Sequence, residues 1–154
     1  LSKESPETKR VVTLEELIAR ADELKESIEA LDATINTYLS HYREIQLAQE
    51  TLKNLGDAPS EGYIVLDRLS SVMIPARISE NWYNNLLVNL GLGYYLKTTR
   101  EVALEILRKR LEALEKAINA LQARRRALAE EYIGIQRVIG QVVEAQRESG
   151  KTSK

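Results

Sequence analysis

The chain has 154 residues, and its 22 Lys and Arg against 23 Asp and Glu leave a net charge of -1, which gives no field for nucleic acid or an anionic membrane. It has no cysteine, which excludes disulfides, thiolate catalysis and thiolate metal sites and fits a cytoplasmic protein. No apolar run approaches the ~20 residues of a membrane span, and the lack of Phe beside abundant Ala, Leu, Glu and Arg points to long helices.

The opening "LSKESPETKR" is polar and does not read as a signal peptide, so residues 1–12 are expected to be a flexible tail. A first helix is predicted over 13–55. Leu17, Leu24, Leu31, Tyr38, Ile45 and Leu52 recur every seven residues, and Leu14, Ala21, Ile28, Ile35, Tyr42 and Gln49 interleave with them. Two such series are the d and a seams of a coiled coil. Thr13 and Glu16 form a capping-box pattern at the start, and Gly56 and Pro59 mark the stop.

Residues 56–98 break this period. "GYIVL" and "VMIPARI" are short β-branched runs around "DRLSS", and "LLVNL" and "YYLKT" flank Gly91-Leu92-Gly93. Both pairs read as β-hairpins, with Pro75 tolerated only at an edge or bulge. Trp82 and Tyr83, between the hairpins, are read as packing residues. Two small hairpins leave open edges, and their expected fate is pairing with the same segment of other subunits. Tyr63, Ile64, Val65, Val72, Ile74, Leu86, Val88, Leu90, Tyr94 and Leu96 are the candidate assembly residues.

The second helix is predicted over 99–146, with a flexible tail over 147–154. Its d series is Leu107, Leu114, Leu121, Leu128, Ile135 and Val142, and its a series is Leu104, Leu111, Ile118, Arg125, Tyr132 and Ile139. Thr98 and Glu101 offer another capping box. About six heptads in each array give helices of roughly 60 Å. Matched lengths around a connecting segment imply an antiparallel helical hairpin; the alternative is two helices that each pair with other chains. The fold class is therefore α+β, mainly α: a long antiparallel coiled-coil hairpin with two β-hairpins at the fold-back.

In such a hairpin the two chain ends share the far tip. Between residues 111 and 131 every apolar residue outside the seam is Ala, but Ile133, Val138 and Val143 then appear off the seam, as do Val11, Val12 and Ile18 at the opposing end. An apolar surface that spreads only at the tip marks an interaction site; the alternative is packing against a neighbouring helix in a larger bundle. With the adjoining seam positions, the candidate residues of this interaction site are Val11, Val12, Leu14, Ile18, Ile133, Val138, Ile139, Val142 and Val143. Gly134 and Gly140 weaken the same stretch, "YIGIQRVIGQVV", by roughly 1 kcal/mol each relative to Ala.

No chemistry-bearing constellation accompanies these features. Gly91-Leu92-Gly93 has Leu96 where a third phosphate-loop glycine would stand. The single histidine, His41, lies off the seam without an acidic cluster, so no metal is expected. Arg124-Arg125-Arg126 is a poor nucleic-acid signal in a neutral chain, and Arg125 at an a position is read as setting register or reaching out of the seam. No catalytic residue, cofactor or enzymatic activity is expected.

A helix, a strand segment of some forty residues and an equal second helix is a plan that resembles prefoldin subunits. "LLVNLGLGYYLKTTREVALEILRKRLEALEKAI" is similar to the second hairpin and second helix of the archaeal α-type subunit, and two hairpins favour the α over the β class. The resemblance implies an ATP-independent molecular chaperone in which two α-type and four β-type subunits build a double β-barrel carrying six coiled-coil tentacles. It also implies that non-native polypeptides are held between the tentacle ends and delivered to a group II chaperonin. The first turn, Asp67 to Ser71, lacks the glycines of the pattern, which leaves its geometry and the choice between an ordinary α subunit and an α-like paralogue open. The reading from another class is a structural coiled-coil scaffold or a filament-forming prefoldin-like subunit.

Overall fold

The computed structural model describes residues 12–67 and 69–151. Helix α1 runs Leu14–Asn54 and helix α2 runs Arg100–Lys151. Between them lie strands β1 (Ser60–Val65) and β2 (Met73–Ile78), a 3-10 turn at Trp82–Asn84, and strands β3 (Leu86–Gly91) and β4 (Tyr94–Thr98). Helix α2 thus continues past 146, where a tail was expected. Gln146, Arg147 and Glu148 are ordinary helix formers and nothing in them stops it.

The chain divides into two compact units. Unit 1 joins Leu1–Thr37 to Ile118–Lys154, and unit 2 is Tyr38–Ala117. In unit 1 the seam positions of the two helical segments are buried or half-buried and most of their neighbours are exposed. Its core is Ala21, Leu24, Ile35 and Ile118, with Leu24 only 2% exposed. The same alternation holds in unit 2 from Tyr38 to Leu52 and from Leu104 to Leu114, as the heptads require.

Helix α1 begins with the expected reciprocal cap. The Glu16 amide donates to the Thr13 hydroxyl at 3.2 Å, and the Thr13 amide donates to the Glu16 carboxylate at 2.9 Å. Helix α2 corrects the expectation for its start. Thr98 belongs to β4, opposite Leu86, and Thr99 is the cap, accepting the Val102 amide at 3.4 Å. A residue held in the strand ladder cannot also turn its hydroxyl into the first helical turn, so the one-residue offset removes Glu101 from a capping box.

The β segment forms two separate two-stranded antiparallel sheets, β1 with β2 and β3 with β4. Pro75 stands opposite Tyr63, tolerated because every strand of a two-stranded ribbon is an edge strand. What fixes this segment to its helices in unit 2 is a knot around Trp82. Its indole N–H donates to the Gly56 carbonyl, just past α1, at 2.9 Å. Tyr83 meets the ring edge-on at 6.1 Å, and the Arg100 guanidinium lies over both rings at 5.6 and 5.7 Å. Arg100 also pairs with Asp57 at 2.6 Å. At the first turn of α2, one side chain therefore holds the end of α1 and the link between the hairpins.

Replacing Trp82 by Phe keeps an aromatic ring but removes the donor to Gly56. The expected loss is about 1 kcal/mol, read as a lower urea midpoint at unchanged slope. Leu24→Ala should cost more, about 3 kcal/mol, because it opens a cavity in a closed seam.

Candidate functional site

In unit 1, two cross-helix ion pairs fix how the helices run past one another. Arg125, the charged a residue, grips Asp32 with both arms of its fork, Nε to Oδ1 at 2.5 Å and Nη2 to Oδ2 at 3.1 Å. This hydrogen bonding holds the Asp32 carboxyl below its usual range and raises the Arg125 guanidinium. Nearer the end of the unit, Arg20 donates from Nε and Nη2 to one oxygen of Glu131, at 3.0 and 2.8 Å. Residues before Arg20 consequently lie alongside those after Glu131.

That placement brings most of the candidate client-binding residues to one end of unit 1. Val12, Ile18, Ile133 and Val138 are exposed there. Leu14, Ile139, Val142 and Val143 are half-buried. The first three of these belong to the seam, and Val143 lies beside it. Val11 lies outside the described residues. The end of unit 1 is thus a partly formed core that continues outward as bare aliphatic surface.

Unit 2 carries a second exposed apolar surface on the hairpins. Tyr63, Ile64, Val65, Val72, Ile74, Leu90, Tyr94 and Leu96 are exposed, and Leu86 is half-buried. Val88, expected on the assembly surface, is instead buried. Strand alternation explains it. Leu86 and Val88 face inward, where they line one cleft with Leu52, Ala103 and Leu107, while Leu87 between them is 67% exposed. Sequence reasoning missed Leu87, Leu66, Met73 and Tyr95 on this surface. For Leu87, the period-two pattern was available as a signal. It also missed the two leucines at the hairpin turns, Leu69 (87% exposed) and Leu92 (98% exposed).

The two turns reach the same end by different chemistry. Leu92 and Gly93 have φ of 52° and 83°, the two left-handed residues of a type I′ turn. Leucine is unusual there, because a side chain at that φ crowds its own backbone. The first turn needs no glycine. The Asp67 carboxylate accepts the amides of Leu69 at 2.8 Å, Ser71 at 3.2 Å and Val72 at 3.1 Å, and Ser70 takes the left-handed position with φ 57°. The short polar side chain supplies what glycine supplies in the other hairpin, a tight reversal with its backbone donors satisfied.

Among the described residues, no group of three His, Cys, Asp or Glu could hold a metal ion, and no helix is long and apolar enough to cross a membrane.

The family model described as prefoldin subunit matches residues 24–145. The prefoldin subunit alpha of Hyperthermus butylicus is 28% identical over 139 residues, covering 90% of this chain and 89% of that protein. The prefoldin subunit alpha of Metallosphaera sedula is 29% identical over 138 residues, covering 90% and 94%. Among solved structures, a chain from the cryo-EM structure of filamentous PFD from Methanocaldococcus jannaschii shares 23% identity, with a TM-score of 0.44 over 81% of this chain and 93% of that one.

Three amides aimed at Asp67 favour its charged form, led by the bond from Ser71, and hold its pKa below the ordinary carboxylate value. A folded pKa below the unfolded one means that the turn's stabilisation is complete above the unfolded value. It is lost as the pH falls through the folded one. The Asp67 carboxyl resonance should therefore titrate below the ordinary carboxylate value, and the Leu69, Ser71 and Val72 amides should lose exchange protection over the same acid range. Asp67→Ala should remove that protection at every pH. A midpoint at or above the ordinary value would contradict the turn geometry.

Proposed function

The chain belongs to the prefoldin family, and from that membership we propose that it is a subunit of an ATP-independent molecular chaperone that captures non-native polypeptides on the apolar end of unit 1. The observation that carries the reading is the exposure of Val12, Ile18, Ile133 and Val138 around a half-buried seam. A coiled-coil spacer would keep charged residues at those positions.

The proposed division of labour follows the chain. Residues 13–55 and 99–146 form the coiled coil, with client binding at its tip, and residues 56–98 form the assembly segment. The two hairpins would pair with β-type prefoldin subunits in an α2β4 hexamer and contribute strands to a shared barrel. Pairing removes the open edges that each ribbon otherwise keeps. The client would then pass to a group II chaperonin in the cytoplasm, a sequence of contacts that needs no cofactor.

Energetics favour many weak tips over one strong one. A side chain that buries itself on a client contributes about 1.5–3 kcal/mol at most, so a single end binds loosely and several ends on one assembly bind by avidity. The pattern suits clients that share exposed hydrocarbon and no common sequence.

The triple variant Ile18→Ser/Ile133→Ser/Val138→Ser should weaken capture of an unfolded chain by more than ~10-fold, the equivalent of about 1.4 kcal/mol. Its native mass with a β-type subunit should not change. Retained capture overturns the tip assignment. A native mass showing a broad, open-ended series in place of a closed hexamer favours the scaffold or filament reading.

A further inference from the structure

The hydrogen-bond pattern of the first hairpin gives its two edges different chemistry. The Leu66 amide donates to the Val72 carbonyl at 3.0 Å, in the register that sets Val65 opposite Met73 and Tyr63 opposite Pro75. Bonded and non-bonded pairs alternate along an antiparallel ladder. Leu66 and Val72 are a bonded pair, so Ile64–Ile74 and Gly62–Ala76 are bonded as well. Val65–Met73, Tyr63–Pro75 and Glu61–Arg77 are the non-bonded pairs between them. Members of a non-bonded pair turn their amides and carbonyls away from each other, toward the outer edges of the ribbon.

Along β1, Glu61, Tyr63 and Val65 thus present three amides and three carbonyls outward. These groups have no backbone partner among the described residues. Along β2 the matching positions are Met73, Pro75 and Arg77, and the middle one has no N–H. Pro75 therefore costs the ribbon none of its own bonds. The donor it lacks is one that only a further strand would use.

Resting on the assembly reading above, we propose that Pro75 sets the direction in which the first hairpin is completed. It denies β2 a full ladder and leaves β1 as the edge that receives a partner strand. The occupant is an extended segment of another subunit, because only extended backbone matches the spacing of Glu61, Tyr63 and Val65. Its side chains are apolar on both faces, since Ile64 flanks it on one face and Tyr63 and Val65 flank it on the other. A strand laid against β2 would keep a carbonyl unpaired at Pro75, which weakens that pairing by roughly 10- to 100-fold. A barrel built on this hairpin is joined firmly at β1 and has its weakest seam at β2.

The test is amide exchange in the full chain, alone and assembled with a β-type prefoldin subunit. Assembly should slow the Glu61, Tyr63 and Val65 amides by more than ~10-fold and those of Met73 and Arg77 by less than ~3-fold. Pro75→Ala restores the missing donor and should extend the protection to Met73 and Arg77. Tyr63→Pro moves the defect to β1. It should weaken association by roughly 10- to 100-fold beyond Tyr63→Ala, which loses the ring but keeps the amide. Equal protection of both edges in the unmodified chain overturns the proposal. So does a Pro75→Ala chain in which Met73 and Arg77 still exchange freely, or a Tyr63→Pro chain that associates as Tyr63→Ala does. The exchange pattern of the unmodified chain stands as a test even where Tyr63→Pro disrupts the hairpin. If the chain associates without protecting β1, this proposal alone falls. If it keeps its own mass beside the β-type subunit, the assembly reading falls and takes the proposal with it.

Discussion

An amphipathic helix of forty residues or more cannot leave its apolar stripe in water, and everything else in this chain follows from how that stripe is covered. The seam is narrow, two positions in seven, so it accepts only a helix with the same spacing. The chain supplies one to itself. Because the match is repetitive, hydrophobic contact alone would tolerate a slip of one heptad. Arg125 breaks that degeneracy, because its fork finds two carboxylate oxygens only when Asp32 is opposite. Isolated surface ion pairs add little stability. This one contributes a register, which is the use best attested for a charged seam residue.

The β segment is held differently, because two two-stranded ribbons have almost no interior of their own. Its anchorage is the Trp82 knot, together with the inward faces of Leu86 and Val88. The Arg110 guanidinium adds a further tie by donating to the Asn89 carbonyl next to the bulge in β3. These contacts use one face of the second hairpin and leave the other bare. A single chain thus covers the seams of its helices and leaves the edges of its strands open.

Much of this was legible in the sequence because the repeats are long and the periods differ. Seven-residue recurrence identified both helices and their seams, and β-branched runs around turn residues identified both hairpins. The misreadings were of a kind that pattern alone does not resolve. Thr98 and Thr99 offer the same hydroxyl, and only the strand ladder decides which one caps α2. Val88 and Leu87 are both apolar, and only the side of β3 that meets the helices decides which is buried. The first turn was obscure for a chemical reason. A carboxylate that gathers three amides makes a glycine-free reversal, and Asp67 looks like any other acidic loop residue until its partners are in place. At the tip, exposure of Ile18, Ile133 and Val138 followed from their off-seam positions, whereas Leu69 and Leu92 went unnoticed because turns are read for backbone geometry, seldom for what their side chains display.

Leu92 has a bearing on the life of the unassembled chain. A left-handed leucine costs about 1–2 kcal/mol in backbone strain, and here it also stands bare at the apex of a hairpin with both edges open. A lone copy therefore carries aliphatic surface of the kind that marks an unfinished protein, beside strand edges that invite aggregation. Association can cover the side chain and the edges, though it leaves the strain in place. One hairpin of the lone chain thus brings together a strained, bare leucine and two unpaired strand edges.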